Sequence, residues 1–161
     1  MTGDELALPW DDQDDSSCFG CARSNPIGLA LRFRHDPPTG EDPAGVGGIV
    51  SDLDLDRRYE SYPGVVHGGI VALVCDETMG NLVVLRHGAP AVTTSLRVRY
   101  VGVVTTGRTH RCHARVTGDP SGPLAGRAEI RDADGVLVAT ATATYHPVPA
   151  DDRGAPVPAT S

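Results

Sequence analysis

The sequence predicts an α+β fold in which a curved antiparallel sheet of about six strands wraps around one long central helix. Residues 69–86 contain no proline and few polar side chains, and their apolar side chains occur on all sides of a helical wheel, which is typical of a buried helix. Residues 91–145 instead show strand patterns separated by turn residues. Two weaker strand patterns precede the helix, so the predicted order is two strands, one helix and four strands.

The strand predictions rest on alternation of apolar and polar side chains and on the turn residues between them. Leu29, Leu31 and Phe33 alternate with other residue types in the first strand, and Asp-Ala-Asp-Gly at residues 132–135 has the turn chemistry of a hairpin. The predicted strands are, in chain order, residues 29–34, 45–53, 91–104, 109–117, 124–131 and 136–145.

Length and charge set the domain organisation. The 161 residues suffice for one domain. We expect a folded domain at residues 17–146, a flexible acidic segment at residues 1–16 and a flexible proline-rich tail at residues 147–161.

The formal net charge of −7 argues against a nucleic-acid partner. No signal peptide is recognisable, and acidic residues interrupt the only long apolar run, so we expect a cytoplasmic protein without membrane contact.

The four cysteines raise the question of a metal site. Cys18 and Cys21 have the spacing of half a zinc site, but no second pair of cysteines or histidines follows at a usable distance along the chain. Cys75 lies within the predicted buried helix. We therefore expect no metal and free thiols.

The helix start combines His67, Gly68 and Gly69. Backbone N–H groups at a helix N-terminus are unpaired and carry a partial positive charge, so they can bind an oxyanion or a polarised carbonyl. Asp76 follows His67 by nine residues, which is about 13–14 Å along the axis and half a turn around it. One thioester or ester carbonyl cannot touch both groups, so either they are unrelated or the helices of two subunits meet about a two-fold axis.

Structural interpretations stay open for these residues. The two glycines can serve only a tight helix start, and the adjacent carboxylates of Asp76 and Glu77 can pair with arginines, Glu77 with Arg97 or Arg99. Glu77 lies in the most apolar sector of the helical wheel, whereas Asp76 lies beside small residues where a ligand can approach. We therefore favour Asp76 over Glu77 as the working carboxylate.

Several segments resemble a known family. The strand order around a central helix resembles the hotdog fold, and His-Gly-Gly at residues 67–69 with Asp76 nine residues after the histidine resembles acyl-CoA thioesterases of the phenylacetate-pathway (PaaI-like) type. The resemblance covers about residues 18–146. Further segments resemble the leader, the helix centre and the third strand of one branch of that family, and they are residues 18–29, 76–80 and 92–100.

The resemblance implies a catalytic role for each matched residue. The Gly68 N–H would polarise the thioester carbonyl, and His67 would orient the thioester. Asp76 of the partner chain would act as nucleophile or as general base for water. Thr93 would hold that water or the carboxylate, and Glu77 is the alternative carboxylate.

Three further residues are predicted to bind substrate. Many relatives have an asparagine six residues before the histidine as a second oxyanion donor, and here that position is Ser61. Gly69 is also predicted to bind substrate, because it is the second glycine at the helix start. Coenzyme A carries phosphates, and Arg108 is our candidate for binding them.

The resemblance implies a thioesterase that needs no cofactor and hydrolyses an acyl-CoA or acyl-carrier-protein thioester to free acid and thiol. It implies a homodimer or homotetramer with the active site at the subunit interface. The alternatives are a hydratase, dehydratase or cyclase on the same fold, and a non-catalytic acyl-CoA-binding protein. Dehydrating hotdog enzymes usually have a histidine near the working carboxylate, so the position of His67 at the helix start favours hydrolysis.

Overall fold

The computed structural model describes residues 3–40 and 45–157. The predicted order of two strands, one helix and four strands is confirmed, and so is the α+β fold class. A 3-10 turn at Arg57–Tyr59 precedes the helix. The elements are β1 (Arg34–Asp36), β2 (Gly48–Asp54), α1 (Gly68–His87), β3 (Ala91–Tyr100), β4 (Thr109–Thr117), β5 (Leu124–Asp132) and β6 (Leu137–Pro147).

Both ends of α1 have a local chemical cause. At the start, Nδ1 of His67 accepts a hydrogen bond from the Gly69 N–H at 2.9 Å and so caps the first turn. At the end, Gly88 adopts the left-handed conformation with φ of 68°, which glycine reaches without steric cost. Its N–H donates to the Val84 carbonyl at 2.8 Å. The helix therefore ends one residue after the apolar run of residues 69–86 from which it is predicted.

The six strands form one antiparallel sheet in the order β1-β2-β4-β5-β6-β3. The helix connects β2 to β3 and packs against β2 to β6. Alternate residues of β4 and β5 are buried, which is the pattern of strands with one face on a core. Val74, Cys75, Met79 and Val83 of α1 are fully buried in that core.

A glycine on β5 makes room for the side chains between helix and sheet. A Cβ atom at Gly126 would lie 2.9 Å from the Met79 sulfur of α1 and 2.9 Å from a ring carbon of Tyr145 on β6. Real Cβ atoms do not approach other atoms this closely, so a larger residue must displace one of them. Gly126 therefore helps to set the position of Tyr145.

The predicted first strand at residues 29–34 is wrong in its position, because β1 comprises Arg34–Asp36. Ala30 has a positive φ of 48°, which interrupts an extended chain. The N–H groups of Leu29 and Leu31 donate to carbonyls of the preceding loop at 2.8 and 2.9 Å instead of to a neighbouring strand. This segment therefore packs the N-terminal loop onto the core and only its end joins the sheet.

The strand predicted at residues 91–104 ends earlier, at Tyr100. The N–H groups of Val101 and Gly102 both donate to the Val138 carbonyl, so the chain turns out of the strand there. Up to that point β3 pairs with β6 along its length, with a register shift after Thr93.

β3 is an edge strand, and among the described strands it pairs with β6 alone. Eight of its ten residues are exposed, and they lie on both faces of the strand. Leu96 is 37% exposed and Tyr100 is 51% exposed. A long edge with exposed apolar side chains needs a partner or protection.

The N-terminal and C-terminal segments meet on the surface. Leu8 is buried and Trp10 packs against the core. The Arg153 guanidinium forms an ion pair with Asp15 at 2.6 Å. The flexibility of residues 1–16 and 147–161 stays a prediction.

α1 also has the length and apolar composition of a membrane span, with a mean hydropathy of 1.5 despite Asp76 and Glu77. Half of this apolar window is buried inside the fold. A core helix meets the same criteria, and the packing of α1 on the sheet identifies it as the core helix of this domain.

We predict that Gly126→Ala lowers the free energy of unfolding by about 1–3 kcal/mol, the usual cost of overpacking a core. The added methyl group collides with Met79 and Tyr145. Urea denaturation measures the effect. Gly122→Ala is the control, since a Cβ atom there meets nothing within 4 Å. Equal stability of the two variants would contradict the proposed tight contact.

Candidate active site

The Asp76 carboxylate is held by two hydroxyl groups from two strands. Thr93 of β3 donates from Oγ1 to Asp76 Oδ1 at 2.9 Å, and Tyr145 of β6 donates from its phenol to the same oxygen at 2.8 Å. The other carboxylate oxygen, Oδ2, makes no hydrogen bond within the described residues. Asp76 therefore has one fixed oxygen and one available oxygen.

The phenol of Tyr145 is a permanent donor. The residue is 1% exposed, and burial, followed by the negative charge of Asp76, raises its pKa well above the usual value. The phenol consequently keeps its proton at any physiological pH. No sequence pattern had pointed to Tyr145, because its partner lies 69 residues away along the chain.

A cavity of about 420 Å³ opens beside this carboxylate. α1 contributes Asp76, Glu77, Gly80 and Asn81 to its wall, which is one face of the helix. The N-terminal and C-terminal segments close its outer side. The rest of the wall includes Trp10, Cys18, Thr93, Tyr145 and Arg153.

Glu77 has different partners from its neighbour. Its Oε1 atom accepts a hydrogen bond from the Asn81 side chain at 2.9 Å and one from the Cys18 thiol at 3.3 Å. The alternative in which Glu77 pairs with Arg97 or Arg99 is wrong, since both arginines are exposed on β3. Glu77 is thus tied to the N-terminal loop rather than presented to solvent.

Cys18 lies on that loop, beside Glu77. A hydrogen bond from the Cys21 thiol, assisted by the backbone N–H groups of Cys21 and Gly20, lowers the pKa of Cys18 to about 7 against the opposing effects of burial and Glu77. The Cys18 hydrogen bond and burial raise the pKa of Cys21. No disulfide joins the four cysteines, all of which lie within the described residues.

The helix start lies at a second cavity, also of about 420 Å³, whose wall includes His67, Ile70, Phe19 and Tyr59. His67 is exposed, and its ring accepts the Gly69 N–H, which removes that N–H from substrate binding. The Gly68 N–H has no hydrogen-bond partner within the described residues. Of the two glycines, Gly68 therefore offers the available donor.

The helix start and Asp76 do not meet within one chain. Gly68 precedes Asp76 by eight residues, or about 12 Å along α1, and it does not line the cavity beside Asp76. The structure brings Asp76, Glu77 and Thr93 together, and it leaves His67, Gly68 and Gly69 at the other end.

Ser61 and Arg108 lie apart from both groups. Ser61 is exposed, and its N–H donates to the Val65 carbonyl at 2.9 Å. Arg108 is exposed after the turn that follows Thr105, and its carbonyl contacts Nδ1 of His110 at 3.0 Å. Neither side chain lines the two cavities described. Their substrate-binding roles stay predictions.

We predict that Tyr145→Phe lowers the free energy of unfolding by about 1.5–3 kcal/mol, the range for a hydrogen bond to a charged group. In an Asp76→Asn chain the same change costs less, because the acceptor is neutral. Urea denaturation of the wild type, the two single variants and the double variant gives the coupling energy between the Tyr145 hydroxyl and the Asp76 carboxylate. Tyr62→Phe is the control, since Tyr62 is 77% exposed. A Tyr145→Phe cost that is unchanged by Asp76→Asn would show that the hydroxyl does not stabilise the carboxylate.

One family model matches part of the chain. Residues 63–139 match the family model of the thioesterase superfamily, and this span includes α1, β3, β4 and β5. No curated protein sequence matches the chain.

Solved structures give the fold. A thioesterase superfamily protein superimposes with a TM-score of 0.63 at 19% identity over 76% of this chain and 56% of its own, so this chain spans little more than half of that protein. Zebra fish thioesterase superfamily member 2 has a TM-score of 0.63 at 18% identity, and the match covers 82% of this chain and 88% of that protein. A Streptococcus mutans protein bound to acetyl CoA has a TM-score of 0.59 at 22% identity, and the match covers 71% of this chain and 89% of that protein. The chain therefore has the fold of these thioesterase superfamily structures, and the family model matches its central helix and the three strands that follow it.

Proposed function

We propose that the protein is a cytoplasmic thioesterase of the PaaI-like type that hydrolyses an acyl-CoA or acyl-carrier-protein thioester to free acid and thiol. The observation that carries this proposal is the Asp76 carboxylate, fixed through one oxygen by Thr93 and Tyr145 beside a cavity. The acetyl CoA bound to the Streptococcus mutans protein of the same fold supports a CoA thioester as the substrate.

The geometry suits a carboxylate that acts on water. Two hydroxyl donors fix Oδ1, so Oδ2 can take a proton from a water molecule in the cavity. The water oxygen then bonds to the carbonyl carbon, the carbon–sulfur bond breaks, and the thiolate leaves and receives a proton. Direct attack by Asp76 through a mixed anhydride leads to the same products after hydrolysis.

The developing oxyanion needs a hydrogen-bond donor, and within the described residues the two hydroxyl groups beside Asp76 already donate to the carboxylate. The unpaired Gly68 N–H at the start of α1 is suited to that task. It lies about 12 Å along the helix from Asp76, so it would serve the Asp76 of a second copy. We therefore place the site at the interface of a two-fold dimer.

β3 supports this assembly. Its edge is unpaired by any described strand and exposes Val92, Leu96 and Tyr100. Thr93 lies on the same strand and Tyr100 donates to the Gly68 carbonyl at 2.7 Å, so β3 touches both halves of the site. Pairing of β3 with β3 of a second copy would cover the edge, in a homodimer or in a homotetramer of two dimers.

Dehydration on the same fold is less well supported. The described wall of the cavity beside Asp76 contains no histidine, whereas dehydrating hotdog enzymes usually have one near their working carboxylate. Hydrolysis needs only a base, water and an oxyanion donor.

We predict that Asp76→Asn lowers turnover by about 10²–10⁴-fold, because it removes the base and keeps the shape. Released thiol, measured with a thiol-reactive dye across a panel of acyl-CoA thioesters, gives the rate. Glu77→Gln reduces the rate less and stability more, since Glu77 contacts Asn81 and Cys18. Asp54→Asn, on an exposed strand position, is the control. Full turnover of Asp76→Asn with loss in Glu77→Gln would reverse the assignment.

We predict that the active species is at least a dimer, and subunit mixing tests the shared site. Gly68→Pro removes the N–H at the first helical position, where proline is tolerated, and Asp76→Asn removes the base. Each variant alone is nearly inactive. A mixed dimer contains one intact site and one doubly defective site, so its activity returns to about half of the wild-type dimer.

Two controls accompany the mixing experiment. Gly68→Ala keeps the N–H, and its Cβ atom would lie 3.4 Å from the Tyr100 ring, so it should stay active. Light scattering shows whether the mixed species has assembled. An active monomer, or an assembled hybrid without activity, would refute the shared site.

A further inference from the structure

Three side chains that can bind a metal meet beside the N-terminal part of the cavity. The sulfur atoms of Cys18 and Cys21 and a carboxylate oxygen of Glu77 all lie within 4.8 Å of one another. Cys18 Sγ and Glu77 Oε1 are 3.3 Å apart. In a tetrahedral zinc site, with bonds of about 2.0–2.3 Å, neighbouring ligand atoms lie about 3.5–3.8 Å apart. The three atoms are therefore near the positions that a single zinc ion requires.

The turn at residues 18–22 has the form of a metal-binding loop. The Ala22 N–H donates to the Cys18 carbonyl at 3.1 Å and closes a tight turn around the two cysteines. A cysteine pair two residues apart is the usual half of a zinc site.

The loop lies directly on the carboxylate. A Cβ atom at Gly20 would be 2.4 Å from Cδ of Glu77, so only glycine allows this approach. The Leu31 N–H donates to the Gly20 carbonyl at 2.9 Å and fixes the loop there.

The cluster places one carboxylate beside two thiols. Glu77 is half-buried and faces two thiols and the Asn81 amide, and no arginine or histidine forms an ion pair with it within the described residues. A buried carboxylate is costly without a cation. A divalent cation would supply the missing charge.

We propose that Cys18, Cys21 and Glu77 bind one divalent cation of the zinc class, which fastens the N-terminal loop to the central helix. Two sulfur ligands favour zinc over magnesium or calcium. Cys18 and Glu77 both line the cavity, so the fourth position is open to water from that side. The cation has a structural task here, and the proposal does not depend on thioester hydrolysis.

Metal content tests the proposal. Full-length protein is reduced, reconstituted with zinc, passed through a desalting column and analysed by mass spectrometry. We expect about one zinc per chain for the wild type and less than about a tenth of that for Cys18→Ala and Cys21→Ala. Cys112→Ala is the matched control, because Cys112 is fully buried and contacts Cys75 rather than this cluster. Asp76→Asn should keep the zinc, which separates this site from the proposed base.

Cobalt identifies the ligands. Cobalt-substituted wild-type protein should show thiolate-to-cobalt charge-transfer absorption and the visible bands of a tetrahedral site. Glu77→Gln keeps the side-chain shape and both thiols, so its zinc affinity should fall by at least about tenfold while the charge-transfer absorption persists at saturating cobalt. This variant decides the question if the cysteine variants fail to fold.

Thermal unfolding gives a second measurement. A chelator should lower the Tm of the zinc-loaded wild type and leave the Tm of Cys18→Ala unchanged. A reconstituted wild type without stoichiometric zinc, or equal zinc in the wild type and both cysteine variants, would overturn the proposal.

Discussion

The close packing of α1 against the inner face of the sheet is the constraint on which the rest of the structure depends. Met79 and Val83 are fully buried there, and Gly126 of β5 leaves the space that the Met79 sulfur occupies. Small inward residues let a helix approach a sheet closely. Because the helix is held at this distance, the phenol of Tyr145 reaches Asp76 without leaving the sheet.

Asp76 and Glu77 show how this packing separates two neighbouring carboxylates. They are adjacent in sequence and point about 100° apart around the helix. Asp76 points toward strands β3 and β6 and their hydroxyl groups. Glu77 points toward the N-terminal loop, where thiols and an amide surround it. One turn of helix thereby presents two acidic groups to chemically different surroundings.

The fold was largely predictable because its signals are local. The bounds of α1 follow from the glycines at its ends, and β4 at Thr109–Thr117 was predicted to the residue from alternation alone. The first strand was misplaced because alternation records which side chains are buried, not which backbone groups they pair with. Leu31 is indeed buried, but its N–H serves the Gly20 carbonyl.

The site was predictable only in part, for a related reason. Asp76 and Thr93 could be selected from sequence because a family resemblance joined them. Tyr145 and the contact of Cys18 with Glu77 depend on chain segments brought together by folding, 69 and 59 residues apart. The sequence predicts no metal at the cysteine pair because no further cysteine or histidine follows at a suitable spacing. The third group beside the pair is Glu77, which only folding brings close to Cys18.

The exposed edge of β3 has a consequence for the newly made chain. A strand of ten residues with open backbone groups is a template onto which any extended segment can add. Arg97 and Arg99 interrupt its apolar residues, and charged residues in such places act as gatekeepers against aggregation. The register shift after Thr93 further narrows the set of strands that fit. The exposed edge of β3 can therefore pair with another strand, but its arginines and its register shift disfavour pairing with unrelated extended segments of newly made chains.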